Sequence, residues 1–299
     1  MKAYSSFQPA YLALLSDLRD HGVDTASVTD PTSVGSRFGD QPRGTRELIG
    51  AGFVLTNPQA RLLDLPARRM DLSYAIANVL WTLSGSSNAG DIAPYNPRGL
   101  AFTADGINLA CAVGARLFRS SAGDQIDNAV RLLREHPGTR RAIAVVGDPS
   151  DTQLTPRDFP CQLGIQFLLR DRHLHCVVAM RSQSAALVLP YDVFLHTMLQ
   201  ELVAREIGAE LGDYHHVCFS AHYYTDEAAL VERILGAPRG VDPAPMPPMP
   251  RSDRELLCRV ESQMRGSEDP VNTLYRAGLD PYWAELLLLV ARRLASSAA

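Results

Sequence analysis

The chain has 299 residues and an apolar fraction of 46%, enough for one large α/β domain or two small ones with a sizeable core. A formal net charge of −4 gives no support for binding to nucleic acid or to a membrane surface. The five cysteines (111, 161, 176, 218 and 258) are odd in number and form no Cys-x-x-Cys pair, which argues against a disulfide framework and a structural zinc site, so no metal is expected.

In chain order, the opening MKAYSSFQPAYLALLSDLRDHG lacks the apolar core and cleavage site of a secretory signal, and residues 9–21 read as an amphipathic helix. Residues 29–50, rich in Gly, Asp, Arg and Thr, read as a polar loop, followed by a short strand over 52–56. A helix over 71–84 is predicted between Asp71, a suitable N-cap, and Gly85, a suitable C-terminal stop. The turn-rich stretch 86–108 precedes a helix over 123–135 and a strand at 141–148 that its β-branched content marks as buried. Strands over 163–169 and 174–181 form a hairpin across Asp171 and Arg172, a long helix follows over 192–207, then a strand over 214–220 and a helix over 225–235. The proline density of 236–251 predicts a linker, with helices beyond it over 252–265 and 279–297. This divides the chain into a domain over 1–235, a linker and a helical segment over 252–299, whose Trp283 and Leu286–Val290 stripe must dock on something apolar. No apolar run reaches the roughly 18 residues of a membrane span, so a cytoplasmic location is expected.

Chemistry concentrates in the middle of the chain. Pro160-Cys161 stands between a polar loop and an apolar strand; a lone cysteine there is more often a small apolar filler than a nucleophile. Arg181-Ser182 ends the next strand, Leu189-Pro190-Tyr191-Asp192 opens a helix, and His222-Tyr223-Tyr224 follows another strand. Arginine far outnumbers lysine, and guanidinium groups suit bidentate phosphate recognition.

Taken together, PCQLGIQF (160–167), MRSQSAALVLPYD (180–192) and HYY (222–224) resemble the ordered motifs of thymidylate synthases and the related pyrimidine nucleotide hydroxymethylases. PRGTR (42–46) resembles that family's phosphate-binding loop, TRRAIAVV (139–146) its arginine-bearing strand, and NVLWTLSGSSN (78–88) its Glu-Leu-Leu-Trp segment. The resemblance covers about 40–235 and fades at the prolines. It implies a large mixed, twisted α/β sheet flanked by helices and a homodimer packed sheet to sheet. Cys161 would add as a thiolate to C6 of a pyrimidine, turning C5 into a nucleophile, with Arg181 favouring the thiolate. The phosphate would rest among Arg43, Arg181 and Ser182, with Arg140 and Arg141 reaching a partner's phosphate, while His222 and Tyr224 would hold the sugar.

Asp192 replaces the family's uracil-reading asparagine and is the residue that CMP and dCMP hydroxymethylases carry, since a carboxylate complements the cytosine amine. An aspartate at a helix start also serves as an N-cap, so both roles stay open for it. The folate half is eroded: Asn78 stands at the catalytic glutamate, Ser184 at the pterin-anchoring aspartate, Val113 at a tyrosine, Gln162 at the histidine after the nucleophile, and Phe219-Ser220-Ala221 at Gly-Gly-Asp. Asparagine is no acid or base. Three readings follow from the resemblance: a CMP- or dCMP-type 5-hydroxymethylase using 5,10-methylenetetrahydrofolate; a folate-independent nucleotide-modifying enzyme of the kind that would suit nucleoside antibiotic biosynthesis; and a nucleotide-binding protein without catalysis. The family's C-terminal folate-closing tail is not recognisable in ARRLASSAA, and the helical segment after 251 could stand in for it.

Overall fold

The computed structural model describes residues 1–25, 43–152, 160–238 and 240–297, so much of the polar stretch expected over 29–50, and Pro42 of PRGTR, lie outside the described residues. The strands are β1 (Lys2–Tyr4), β2 (Val23–Thr25), β3 (Thr45–Leu55), β4 (Asp64–Leu65), β5 (Arg68–Arg69), β6 (Ile143–Val145), β7 (Gln162–Arg170), β8 (His173–Met180), β9 (Gln183–Ser184) and β10 (Glu210–Tyr224). The helices are α1 (Phe7–His21), α2 (Leu72–Ser84), α3 (Ala89–Ile92), α4 (Val113–Phe118), α5 (Gln125–Glu135), α6 (Leu189–Ile207), α7 (Ala228–Gly236), α8 (Arg254–Arg265), α9 (Pro270–Arg276) and α10 (Pro281–Ser297). The result is a mixed α/β fold around a sheet ordered β1-β3-β10-β8-β7-β6, with β2 on β3 and β9 on β10.

β10 is the strand that organises the site. It pairs antiparallel with β3 and parallel with β8, and near its end parallel with β9, where Ala221 lies opposite Gln183 and His222 opposite Ser184. It is far longer than the predicted 214–220 because it has neighbours on both sides, and so it carries His222 and Tyr224 on the strand itself. β3 likewise begins at Thr45, inside the stretch expected to be loop, because Thr45–Ile49 pair with Ser220–Tyr224. The β7–β8 hairpin turns at Asp171 (φ 47°) and Arg172 (φ 66°), the left-handed pair that matches the twist of the flanking strands.

One sheet face carries α1 and α6, whose apolar sides meet β3, β8 and β10. The other face is open in the single chain: Ile49 is 86% exposed, Phe219 54%, and Ile143 and Val145 51% each. The stretch 141–148 is therefore a three-residue strand with only its inward side buried, at Ala144, rather than a strand buried throughout.

α2 has no charged side chain in LSYAIANVLWTLS, which is tolerable only for a helix covered on several sides. α6 covers one side, and α8 and α10 cover others. Its ends are as the sequence implies, with Asp71 accepting from the Tyr74 N–H at 3.1 Å and Gly85 at φ 68°. α4 crosses α2 so closely that a Cβ on Gly114 would lie 2.2 Å from the Thr82 carbonyl oxygen. Gly114→Ala should therefore destabilise the protein by about 1–3 kcal/mol, and an unchanged urea midpoint would contradict this contact.

The C-terminal stripe docks as its composition demands: Trp283, Leu287 and Val290 are buried, and the Trp283 indole donates to Ser252 Oγ at 2.6 Å. α9, which the sequence reading did not separate, starts at the Asp269-Pro270 cap. The proline-rich stretch has no regular structure, yet Met246 N–H donates to the Gln59 carbonyl at 3.0 Å and Met249 N–H to Glu201 Oε1 at 2.8 Å.

Candidate active site

Cys161 is exposed and immediately precedes β7. Its carbonyl accepts the Arg181 N–H at 2.8 Å, while Arg181 Nε donates to the Pro160 carbonyl at 2.8 Å. Main chain and side chain together thus pin the guanidinium beside the cysteine. The register shift between Gln162 and Gly164 on β7 occurs at this point and turns the residues ahead of the strand out of the ladder.

Gln162 is buried, and its Oε1 lies 2.9 Å from His196 Nε2 on α6. Gln162 Nε2 and His196 Nδ1 are buried without hydrogen-bond partners among the described residues. Burial holds His196 neutral by pushing it down to about 4.

Asp192 lies in the first turn of α6, whose N-cap is Val188, so its carboxylate does not cap the helix. Instead Asp192 Oδ2 accepts from Gln183 Nε2 at 2.8 Å. Desolvation pushes this carboxyl up to about 6, with the Gln183 bond opposing the rise. Gln183 Oε1 in turn lies 3.0 Å from His216 Nε2, and His216 Nδ1 lies 2.9 Å from the Tyr214 hydroxyl.

The residues expected to hold the sugar sit on β10. His222 and Tyr224 meet edge to face at 5.1 Å, and Arg43 lies over the Tyr224 ring at 3.8 Å while ion-paired to Asp226 and Glu227. Burial pushes His222 down to about 4, so it is a neutral imidazole near pH 7, and it is close enough to feel the charges of Arg181 and Arg43. Tyr224 feels Cys161 and Arg43, and Cys218 feels both Cys161 and Asp192, so the thiol, the carboxyl and Arg43 lie close enough to sense the same neighbours.

The remaining predicted residues lie around it. Ser182 and Ser184 are half-buried on the segment entering and forming β9. Asn78 is half-buried on α2, one turn beyond Tyr74, whose ring meets Tyr191 edge to face at 4.9 Å. Arg140 and Arg141 stand apart, both exposed on the turn before β6. Sequence reasoning missed Gln183, His216 and Tyr214; the available signal was a polar side chain at inward positions of otherwise apolar strands.

For a metal, His175, Asp213 and His215 offer ligand atoms within 4.8 Å of one another on the sheet. His175 Nδ1 already accepts the Asp213 N–H at 3.0 Å, which suits a neutral ring protonated at Nε2 better than a metal ligand. No helix among the described residues is long and apolar enough to cross a membrane.

Comparison with known proteins adds three findings. The thymidylate synthase family model matches residues 10–250. A deoxyuridylate hydroxymethyltransferase of Delftia phage PhiW-14 is 30% identical over 205 residues, covering 64% of this chain and 57% of its own, and one of Bacillus phage SP01 is 29% identical over 229 residues, covering 69% and 59%. The chain thus spans less than three fifths of the length of either relative. Thermostable thymidylate synthase A from Bacillus subtilis superposes with a TM-score of 0.62 at 22% identity, over 77% of this chain and 84% of that one, a likeness of fold.

Proposed function

Since the chain belongs to the thymidylate synthase family, we propose that it is a transferase acting at C5 of a pyrimidine nucleotide, hydroxymethylating CMP or dCMP through a covalent Cys161–C6 adduct. The observation that carries this reading is an exposed cysteine next to an arginine pinned to its own main chain, near a carboxyl that accepts from Gln183. The two phage relatives are named for a uracil nucleotide; Asp192 is what directs the proposal to cytosine. A carboxylate accepts from the exocyclic amine of cytosine and meets only an oxygen at the same position of uracil.

Sγ of Cys161 adds to C6, and the electron pair of the C5–C6 double bond moves toward the C4 end of the ring, which makes C5 nucleophilic. C5 then bonds to the incoming carbon and loses its proton, water supplies the hydroxyl as that carbon's bond to its donor breaks, and the S–C6 bond breaks to restore the ring. Arg181 offsets the thiolate charge before addition. Arg43, Arg181 and Ser182 take the phosphate, neutral His222 and Tyr224 take the sugar hydroxyl, and Gln162 contributes its buried amide N–H toward the base. The open sheet face is assigned to a second copy, with Arg140 and Arg141 of the partner subunit completing the phosphate site.

The family's one-carbon donor, 5,10-methylenetetrahydrofolate, fits the residues present in a reduced way. Trp81 Nε1 is a buried donor without a partner among the described residues, and half-buried Asn78 and Ser184 can each donate and accept, but neither supplies a carboxylate. When bound, the folate supplies a carbon at the oxidation level of formaldehyde. Those same two neutral residues favour a second reading, in which the nucleotide pocket serves a folate-independent reaction.

Tritium release from [5-³H]CMP and [5-³H]dCMP, with and without methylenetetrahydrofolate, decides between them. Folate-dependent release with a 5-hydroxymethyl product supports the first reading. Release without folate supports the second, and no release from any pyrimidine nucleotide that binds tightly overturns C5 chemistry altogether.

A further inference from the structure

The buried polar groups behind Asp192 form a chain with one direction. An ionised carboxylate can only accept, so Gln183 must present its amide N–H to Asp192 Oδ2, at 2.8 Å. Its Oε1 then faces His216 Nε2 at 3.0 Å and requires a proton there. His216 is neutral, because burial pushes it down to about 3, so it carries only that one proton and its Nδ1 must accept the Tyr214 O–H at 2.9 Å. Burial holds the Tyr214 phenol protonated. Every donor therefore points toward Asp192, from Tyr214 through His216 and Gln183.

The chain is also rigid. Tyr214 and His216 have no solvent exposure and Gln183 has 2%, while Phe53 stacks on the His216 ring at 5.2 Å with planes 14° apart. β9 has only two residues, but its pairing of Gln183 with Ala221 fixes the amide against β10. None of these side chains is used in the chemistry at Cys161, and buried polar groups in a strand interior are costly unless satisfied. An apolar trio would fill the same space at lower risk.

We propose that Gln183, held by His216 and Tyr214, is a positioning residue that keeps Asp192 an acceptor and thereby sets the preference for a 4-amino over a 4-oxo pyrimidine. This rests on the assignment of Asp192 to base recognition. With Oδ2 occupied by Gln183, the second carboxylate oxygen is left to accept the exocyclic amine. If the chain were cut, Asp192 would hold a proton more readily and could offer an O–H to a 4-oxo group, which erases the discrimination. The titratable groups that feel Asp192 are Tyr74 from α2 and Tyr214 and Cys218 from β10, with His196 one turn along α6. Burial keeps Tyr74, Tyr214 and Cys218 protonated and His196 neutral at neutral pH, so none competes with Gln183 for the role.

The sign follows directly. Asp192 is ionised above about 6, so preference for CMP over UMP is full above that pH and fades as pH falls through it. The Gln183 bond lowers the carboxyl pKa, so its removal moves this edge to higher pH.

The test compares wild type with Gln183→Met, which keeps the volume, and with Tyr214→Phe, which removes only the far O–H. Two quantities are measured: the titration of the Asp192 carboxyl carbon by NMR, assigned with Asp192→Asn, and the ratio of CMP to UMP dissociation constants against pH. The expected result is an Asp192 titration moved upward and a ratio of CMP to UMP dissociation constants raised about tenfold or more at neutral pH in Gln183→Met, with a smaller change in the same direction in Tyr214→Phe. An unmoved titration in both variants overturns the relay, whatever the nucleotide. A moved titration with an unchanged ratio overturns its role in base choice. A wild type that prefers UMP overturns the cytosine assignment itself, and the titration arm still decides whether the relay holds the carboxylate. Should Gln183→Met fail to fold, Tyr214→Phe carries both measurements alone.

Discussion

Cys161→Ala is expected to reduce turnover by at least about 10³-fold while leaving the nucleotide dissociation constant within about threefold of wild type. The separation follows from the division of labour in the cleft. In the proposed site, binding falls to the arginines, Asp192, His222 and Tyr224 rather than to the sulfur. Arg181 is held by two main-chain carbonyl and amide contacts, to Pro160 O through its side chain and to Cys161 O through its N–H, and both survive truncation of the cysteine side chain. In the proposed mechanism, loss of the thiol removes the step that makes C5 reactive, and a ring without that addition has no low-energy route to substitution. Cys161→Ser should be nearly as inactive, because a hydroxyl is scarcely ionised at neutral pH. A 5-fluoro pyrimidine nucleotide gives an independent readout: fluorine cannot leave as the C5 proton does, so wild type should accumulate a covalent complex visible by mass. The alanine variant should show none. Full tritium release in Cys161→Ala would mean that the adduct is not on the path, whatever the fold.

The elements that sequence reads well are those whose signals are local. The α2 caps at Asp71 and Gly85, the β7–β8 turn at Asp171 and Arg172, and the amphipathic α1 each depend on contiguous residues, and each is found within a few positions of its expectation. What local pattern cannot give is pairing. β10 extends to Tyr224 only because β3, β8 and β9 lie beside it, so residues 221–224, expected to follow the strand, belong to it.

The same reasoning explains the candidate site. Cys161, Arg181 and Asp192 stand out as candidates because they sit in ordered motifs, but Gln183 and His216 lie far apart in sequence and meet only through the register of a two-residue strand. Asp192 was readable as a helix cap because it stands near a helix start; the helix begins three residues earlier, with Pro190 in its first turn, which frees the carboxylate for Gln183. Proline density over 236–251 rightly excludes a helix or strand beyond Gly236, the last residue of α7, among the described residues, but it is silent on tertiary bonds such as that of Met249 N–H to Glu201.

Glu201→Ala is expected to destabilise the fold by about 3–5 kcal/mol, a large share of the roughly 5–15 kcal/mol that holds a typical domain together. Glu201 and Arg61 form an ion pair in which neither side chain has solvent exposure. Glu201 also accepts from Gln59 Nε2 at 2.9 Å and from the Met249 N–H at 2.8 Å. One carboxylate therefore ties α6 to the segment after β3 and to the proline-rich stretch that leads to α8. Arg61 Nε and Nη1 have no hydrogen-bond partner among the described residues, so Glu201 is the group that makes its burial tolerable. Without it, a guanidinium stays in the interior uncompensated, and the stretch over 246–249 loses an anchor. Glu201→Gln separates the two effects, since an amide oxygen can still accept from Gln59 and Met249 but carries no charge. If charge dominates, its urea midpoint should fall nearly as far as that of Glu201→Ala; if anchoring dominates, it should stay close to wild type. The double replacement Arg61→Met with Glu201→Leu removes the buried charges together and should recover much of the loss, because well-packed apolar groups commonly replace a buried ion pair at little cost. A Glu201→Ala protein with an unshifted midpoint would mean that Arg61 reaches water or another acceptor, and that the strap is held by Met246 and Met249 packing alone.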